Sequence, residues 1–235
     1  MAPAGRKPAA QRDIRDQPSY PLAEAARYLK VPAATVRSWA LGRDYATTDG
    51  ARHFPAILAP ASRRPPLLSF WNLIEAHVLR ALRTEHGVPV HAVRKALAVA
   101  EKEFGIERLL LSSQLLAGAG KLFLERYGQL VELTASGQLA MWQVLEAHLK
   151  RVEWDKWQFP VRLYPFPTVD MLQADRPIAI DPMVAFGRPI VVRRGITTAV
   201  IAERVDAGET IDVLAADYDL EPEDIKHAIV YEHAA

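Results

Sequence analysis

The 235-residue chain contains no cysteine. Disulfides, thiolate metal sites and cysteine nucleophiles are thereby excluded, and the chain suits a reducing compartment. Also missing is any run of roughly 18–20 apolar residues, the length a membrane span needs. The N-terminus has no apolar core of a secretory signal, so a cytoplasmic location without a membrane partner is expected. Neither a glycine-rich phosphate loop nor a nucleophile elbow occurs. The seven histidines are scattered, and His77 and His91 form no ligand spacing with nearby carboxylates. His77 falls on an apolar stripe, where a structural role is the better reading. The acidic cluster Glu221, Glu223 and Asp224 opens a helix, where negative charge favours the helix dipole. No catalytic centre, no metal and no cofactor are expected; the chain reads as a non-enzyme.

Net charge is nearly absent as well, at +1, but its distribution is uneven. Residues 1–70 carry 11 Lys and Arg against 5 Asp and Glu, whereas residues 171–235 carry 6 against 12. A basic front and an acidic rear predict two modules with different partners.

What is present is mostly helical periodicity. Residues 1–18 are rich in Ala, Arg, Gln and Pro and are expected to be a disordered tail. Leu22, Ala25, Ala26 and Leu29 recur at helical spacing, Lys30-Val31-Pro32 breaks the pattern, and Val36, Trp39 and Ala40 resume it. Two short helices with small residues at their crossing describe a helix-turn-helix. With Val36 and Trp39 facing inward, Thr35, Arg37 and Ser38 are expected to face outward, Arg37 being the natural guanine or phosphate partner. Asp49-Gly50 signals a hairpin with arms near 45–47 and 53–58, placed where a wing would lie. Ser69 caps a helix whose stripe runs Phe70, Leu73, Ile74, His77, Val78, Ala81, Leu82, and which Gly87 ends. Pro89 starts the next helix, which ends at Gly105.

Residues 106–135 are expected to be strands, with Leu122–Glu125 and Leu130–Leu133 flanking a hairpin turn at 126–129. A helix with Leu139, Trp142, Leu145, Leu149 and Val152 on one side follows. A proline-rich connector over 158–180 carries one short strand, Val161–Tyr164. In the rear, Pro189–Val192 reads as a strand, followed by helices at about 198–207, 210–218 and 222–232, separated by Gly208 and opened by Thr210 and Glu221-Pro222. The expected fold is mainly α with small β elements. A tail (1–18) leads into a winged helix-turn-helix (19–105), then a mixed α/β middle and connector (106–177), then a C-terminal three-helix module (178–235).

Two resemblances add to this reading. The words Tyr-Pro-Leu-Ala-Glu-Ala-Ala, Val-Pro-Ala-Ala-Thr-Val-Arg-Ser-Trp and Leu-Ser-Phe-Trp-Asn-Leu-Ile-Glu-Ala-His-Val-Leu-Arg-Ala-Leu-Arg make residues 20–97 similar to the MerR-type winged helix. That resemblance implies that Arg37 lies on the recognition helix, with Arg43, Arg52 and His53 in or beside the wing near phosphates. Residues 180–233, through Asp-Pro-Met-Val-Ala-Phe-Gly-Arg-Pro-Ile-Val-Val, Val-Asp-Ala-Gly-Glu-Thr-Ile-Asp-Val-Leu-Ala-Ala-Asp-Tyr and Leu-Glu-Pro-Glu-Asp-Ile-Lys-His-Ala-Ile-Val-Tyr, resemble a small bacterial domain taken to be the antitoxin of VapBC-like operons. That family has Gly-Thr-Arg-Ile after the strand, where this chain has Arg193-Arg194-Gly195-Ile196. A front and a tail of these kinds together resemble the long VapB-type antitoxins.

The resemblance implies an antitoxin that binds operator DNA as a homodimer and neutralises a PIN-like, metal-dependent ribonuclease toxin. In the acidic rear, Arg188, Arg193 and Arg194 form a basic cluster suited to toxin carboxylates, although pairing with local Asp and Glu is an equally simple use for them. The rival reading is a stand-alone MerR-like transcription regulator that senses a small molecule through residues 106–170.

Overall fold

Leu22, Ala25, Ala26 and Leu29 are all buried along one side of helix α1 (Leu22–Leu29), which closes on Lys30 in a left-handed conformation. The computed structural model describes residues 13–47, 50–84, 90–112, 115, 118–130, 135–166 and 176–234. Helix α2 (Ala33–Leu41) follows after Val31-Pro32 and turns Val36, Trp39 and Ala40 back onto α1. Full burial of a side chain of the Val or Leu kind contributes roughly 1.5–3 kcal/mol, which fixes this two-helix unit. Strand β1 (Tyr20–Pro21) precedes the unit, and an antiparallel hairpin of β2 (Arg43–Thr47) and β3 (Gly50–Phe54) follows it. A second hairpin, β4 (Ser62–Arg63) and β5 (Pro66–Leu68), completes a three-stranded sheet with β1, in the order β1-β5-β4.

Helix α3 (Phe70–Thr84) starts as its sequence predicts: the Ser69 hydroxyl accepts a 3.1 Å hydrogen bond from the Asn72 backbone N–H, and Asn72 Oδ1 accepts one from the Ser69 N–H. Leu73, Ile74, His77, Val78, Ala81 and Leu82 are buried along it. Its expected end at Gly87 and the expected start of the next helix at Pro89 lie outside the described residues. Helix α4 (Val90–Phe104) ends at Gly105, which has a φ of 62°.

The middle corrects the sequence reading. Residues 118–130 are not strands but helix α5 (Gly118–Leu130), with Ala119, Phe123, Leu124 and Tyr127 buried. Those four positions fit a 3.6-residue repeat, which the neighbouring Tyr127-Gly128 obscured. Gly128 is no turn residue; a Cβ there would stand 2.6 Å from the Gln138 side-chain nitrogen, so it lets α5 approach helix α6 (Ala135–Leu149) closely. Residues 131–133 of the expected hairpin lie outside the described residues. On α6, Met141, Leu145 and Leu149 are buried, while Leu139, expected on that side, is 60% exposed.

A sheet crosses the boundary expected near residue 177. Strands β6 (Val152–Trp154), β7 (Pro160–Leu163), β8 (Ile178–Ile180), β9 (Pro189–Val191) and β10 (Ile196–Thr197) form one antiparallel sheet in the order β10-β9-β8-β7-β6. Leu163 pairs with Ile180 across the boundary. Ile180 belongs to the main core, whereas Ile178 and Val191 belong to the smaller core beneath helices α7 (Thr198–Asp206), α8 (Ile211–Tyr218) and α9 (Pro222–His233). The three helices fall where the sequence placed them, and Thr210 caps α8 through the Val213 N–H.

Residues 13–18, expected in a disordered tail, are ordered. A 3-10 turn (Ile14–Asp16) brings Arg15 to Asp155 at 2.8 Å and Asp13 at 2.6 Å, with its guanidinium over the rings of Trp71 and Phe159. The rest of the tail, residues 1–12, lies outside the described residues. Among the described residues, no helix is long and apolar enough to cross a membrane.

Candidate nucleic-acid and partner interfaces

The described part of helix α2 has two sides. Thr35, Val36, Trp39 and Ala40 are buried, while Ala33, Ala34 and Arg37 are exposed and Ser38 is half-buried. Thr35, expected to face outward, is only 8% exposed. The reason is its spacing: it stands one helical turn before Trp39, on the same side. Two small side chains and one guanidinium therefore form the outer side of α2, a shape that lets a helix approach base edges closely.

The hairpin is fixed beside this helix by backbone contacts. The Trp39 carbonyl accepts hydrogen bonds from the N–H groups of both Ile57 and Leu58, each at 2.9 Å. Gly42, between α2 and β2, has a φ of 77°, and a Cβ there would lie 2.4 Å from the Phe54 carbonyl oxygen. Arg43 is exposed at the base of the hairpin, with its guanidinium 5.9 Å from the Phe54 ring centre. His53 is exposed, with Nδ1 2.8 Å from Asp44 Oδ1. Arg52 pairs through its backbone with Tyr45; its side chain is outside the described residues.

Other basic residues here went unmarked in the sequence. Arg94 on α4 donates to the Pro55 carbonyl and stacks over Phe54, tying the hairpin to α4. Arg63 and Arg64, at the tip of the β4–β5 hairpin, are exposed. Only the basic surplus of the first 70 residues hinted at them.

In the rear, the three arginines have different surroundings. Arg193 Nε pairs with Asp224 at 2.9 Å, with Glu221 3.7 Å away. Arg194 pairs with Asp219 and also donates to its backbone carbonyl at 3.1 Å. Their side chains stay 53% and 48% exposed. Arg188 is exposed.

The rear module also meets the front at a junction no local pattern foretold. Helix α9 packs its Tyr231 hydroxyl on the Tyr28 carbonyl at 2.7 Å. Arg27 donates to Glu232 at 3.0 Å, and the Lys30 ammonium sits 4.4 Å from the Tyr231 ring centre. Burial lowers the Lys30 pKa. The acidic module thus covers the back of the first helix of the helix-turn-helix.

The middle braces both ends. Arg108, in a left-handed conformation, forks onto buried Glu75 of α3 at 2.9 and 2.8 Å. His77 Nε2 lies 3.0 Å from the His148 carbonyl, and His148 Nδ1 2.9 Å from the Val144 carbonyl, so each ring donates there. Burial pushes the His77 pKa well below its usual value and that of His148 to about 4. Both are structural histidines. Among the described residues, no cluster of three His, Asp or Glu side chains could hold a metal ion.

The fold thus defines a mainly helical protein with an N-terminal helix-turn-helix joined to a C-terminal three-helix module. Comparison agrees: residues 18–97 match the family described as "Putative DNA-binding HTH domain", and residues 178–231 match "Protein of unknown function (DUF433)". The chain is 30% identical over 240 residues to "Putative antitoxin VapB45" of Mycobacterium tuberculosis (strain ATCC 25618 / H37Rv), covering 91% of this chain and 93% of that protein. It belongs to the VapB45 family. It is also 25% identical over 236 residues to "Uncharacterized protein Rv2308" of the same strain, covering 92% and 90% of the two chains. The crystal structure of Rv2018 from M. tuberculosis shares the fold, with a TM-score of 0.64 at 23% identity over 90% of this chain and 97% of that one.

Proposed function

We propose that this chain is the antitoxin of a type II toxin–antitoxin pair: a cytoplasmic, cofactor-free, non-enzymatic repressor that binds operator DNA as a homodimer and neutralises a PIN-like ribonuclease. The observation that carries the reading is the similarity to VapB45 along nine-tenths of the chain, front and rear together. In this reading the front is a MerR-like reader. Arg37 reaches a base edge from α2 and Ser38 stands beside it, while Arg43, Arg52 and His53 meet phosphates from the hairpin. Two copies on one operator would follow its two-fold symmetry.

The rear holds the toxin. Arg188 is free to meet a toxin carboxylate directly. Arg194 would exchange its exposed partner Asp219 for a toxin carboxylate, and little opposes that exchange, because exposed ion pairs contribute only about 0–1 kcal/mol; Arg193 would leave the half-buried Asp224 to do the same. Co-expression with a PIN-like ribonuclease, taken from the neighbouring reading frame where that frame encodes one, tests the whole reading. Rescue of growth, together with a shifted operator fragment in gel titration, is expected. A chain that neither rescues nor shifts the fragment would overturn it.

A further inference from the structure

Between β8 and β9 the chain does something the surrounding fold does not require. Ala185, Phe186 and Gly187 take three consecutive left-handed conformations, with φ of 48°, 56° and 72°. Only glycine adopts that region without penalty; elsewhere left-handed residues occur singly, not in runs. The outcome of this strained run is a phenylalanine side chain 92% exposed to solvent, the most exposed large apolar side chain among the described residues. Met183, three residues earlier, is 73% exposed. A strained backbone that displays an apolar ring to water is unfavourable twice over, so its persistence calls for a use.

The turn is also held firmly. Asp181 is buried and accepts from Arg162 Nε and Nη2 at 3.1 and 2.8 Å, while its other oxygen accepts from the Met183 N–H at 2.8 Å. Backbone bonds from the Val184 N–H to the Asp181 carbonyl (3.0 Å) and from the Gly187 N–H to the Val184 carbonyl (2.9 Å) close the loop. Gly187 is pressed against Tyr20, whose hydroxyl would lie 2.0 Å from a Cβ at that position. An aromatic ring on a rigid support loses little conformational freedom on binding, which is the property of an interface anchor.

We propose that the Ala185–Gly187 turn is a docking anchor, with Phe186 and Met183 entering an apolar pocket on the ribonuclease partner. This rests on the antitoxin reading and deepens it. Charge complementarity favours that occupant: the module carrying the turn has 12 acidic against 6 basic residues from 171 onward, and Asp206, Asp219, Glu221 and Glu223 are exposed on it. An enzyme that binds RNA presents basic surface to phosphates, and an acidic module is drawn to it. The same acidity argues against Phe186 serving as a wedge in DNA.

The test uses the full chain and that same PIN-like ribonuclease, purified as a catalytically dead variant, with affinity read by titration calorimetry. Phe186→Asn keeps the left-handed turn, since asparagine tolerates it, and removes the ring. A rise in Kd of about 30-fold or more is expected, with Met183→Ser adding to it and with operator affinity unchanged. Thermal midpoint should stay level or rise in Phe186→Asn, because no packed side chain is lost; a fall of the midpoint with unchanged Kd would mean that the turn is merely structural and would overturn the proposal. Wild-type binding with an unaltered Kd in both variants overturns the anchor alone. Absence of binding by the wild type overturns the antitoxin reading and the anchor with it. Conversion of a dimer to a monomer by Phe186→Asn, read by light scattering, assigns the turn to a second copy and overturns the proposal in that way.

Discussion

The hydroxyl of Tyr231 donates to the backbone carbonyl of Tyr28 at 2.7 Å, across 203 residues of sequence. One end of this bond is the last helix of the acidic module and the other is the first helix of the DNA-binding unit. Both side chains are almost wholly buried, Tyr231 at 2% and Tyr28 at 2% exposure. Burial also raises the Tyr231 pKa well above its usual value, so the phenol remains a donor across the working pH range.

Tyr231→Phe is expected to lower the unfolding free energy by about 1 kcal/mol, the loss of one buried hydrogen bond without a cavity. Urea titration of the full chain measures it. A change below about 0.3 kcal/mol would mean that the bond contributes nothing to holding the two ends together.

Arg37→Ala and Arg43→Ala are expected to fail differently on operator DNA. Loss of a bidentate base contact should weaken binding by about 1–3 kcal/mol and relax sequence preference at one position. Loss of a phosphate contact should reduce the salt slope by about 1 with sequence preference kept. Mobility-shift titrations at several salt concentrations, on operator and on scrambled DNA, separate the two. Identical behaviour of the variants would remove Arg37 from the reading helix.

Stability should fall as the solution is acidified below the usual histidine range. The folded pKa of His148 is depressed to about 4 by burial, and that of His77 is depressed in the same direction by the same cause. A depressed folded pKa means that the unfolded chain takes up the proton first. The stabilisation is therefore complete above about pH 6.5 and is lost as pH drops toward 4. For His148 the loss between pH 7 and pH 5 is about 2 kcal/mol. Urea midpoints at the two pH values check this, and His148→Gln should flatten the dependence. An equally steep fall in the variant would place the effect elsewhere.

The full chain is expected to unfold in one transition, because the sheet runs from β6 to β10 through both cores. A chain cut after Thr168 loses Ile180 from the main core and uncovers Tyr28; the first of these alone corresponds to roughly 1.5–3 kcal/mol. Calorimetry of both chains measures the difference. Two resolved transitions in the full chain, or an unaltered midpoint in the shortened one, would show two independent bodies.

How much of this was legible depended on length and repetition. Helices α1 to α3 announced themselves because their apolar residues recur over two or more turns, because Lys30-Val31-Pro32 breaks the pattern between the first two and because Ser69 marks the start of the third. Helix α5 did not, since Tyr127-Gly128 looks like a turn to a reader who cannot see Gln138 lying against the glycine. The five-stranded sheet was hidden for another reason. Two of its strands, near 161–164 and 189–192, were legible, but β8 has three residues, all buried, so no alternation exists to detect, and nothing local pairs one strand with the next. The partners of Arg15 and Arg27 lie 140 and 205 residues away, where no spacing rule reaches. Among the candidate site residues, the exposed place of Arg37 followed from Trp39 and Val36. Thr35 was misjudged because it was counted from Val36 and not from Trp39, with which it shares a side. The Phe186 turn left a trace only in Phe-Gly, since a run of left-handed residues that includes alanine and phenylalanine contradicts local preference.

Because Tyr28 waits for Tyr231, synthesis imposes an order on this protein. At roughly 5–20 residues per second, about 10–40 seconds separate the two tyrosines on the ribosome. During that interval the first two helices can pair with each other and with α3, but the back of α1 has nothing to cover it. A DNA-binding half in its finished form therefore exists only in a chain whose acidic half has already been made.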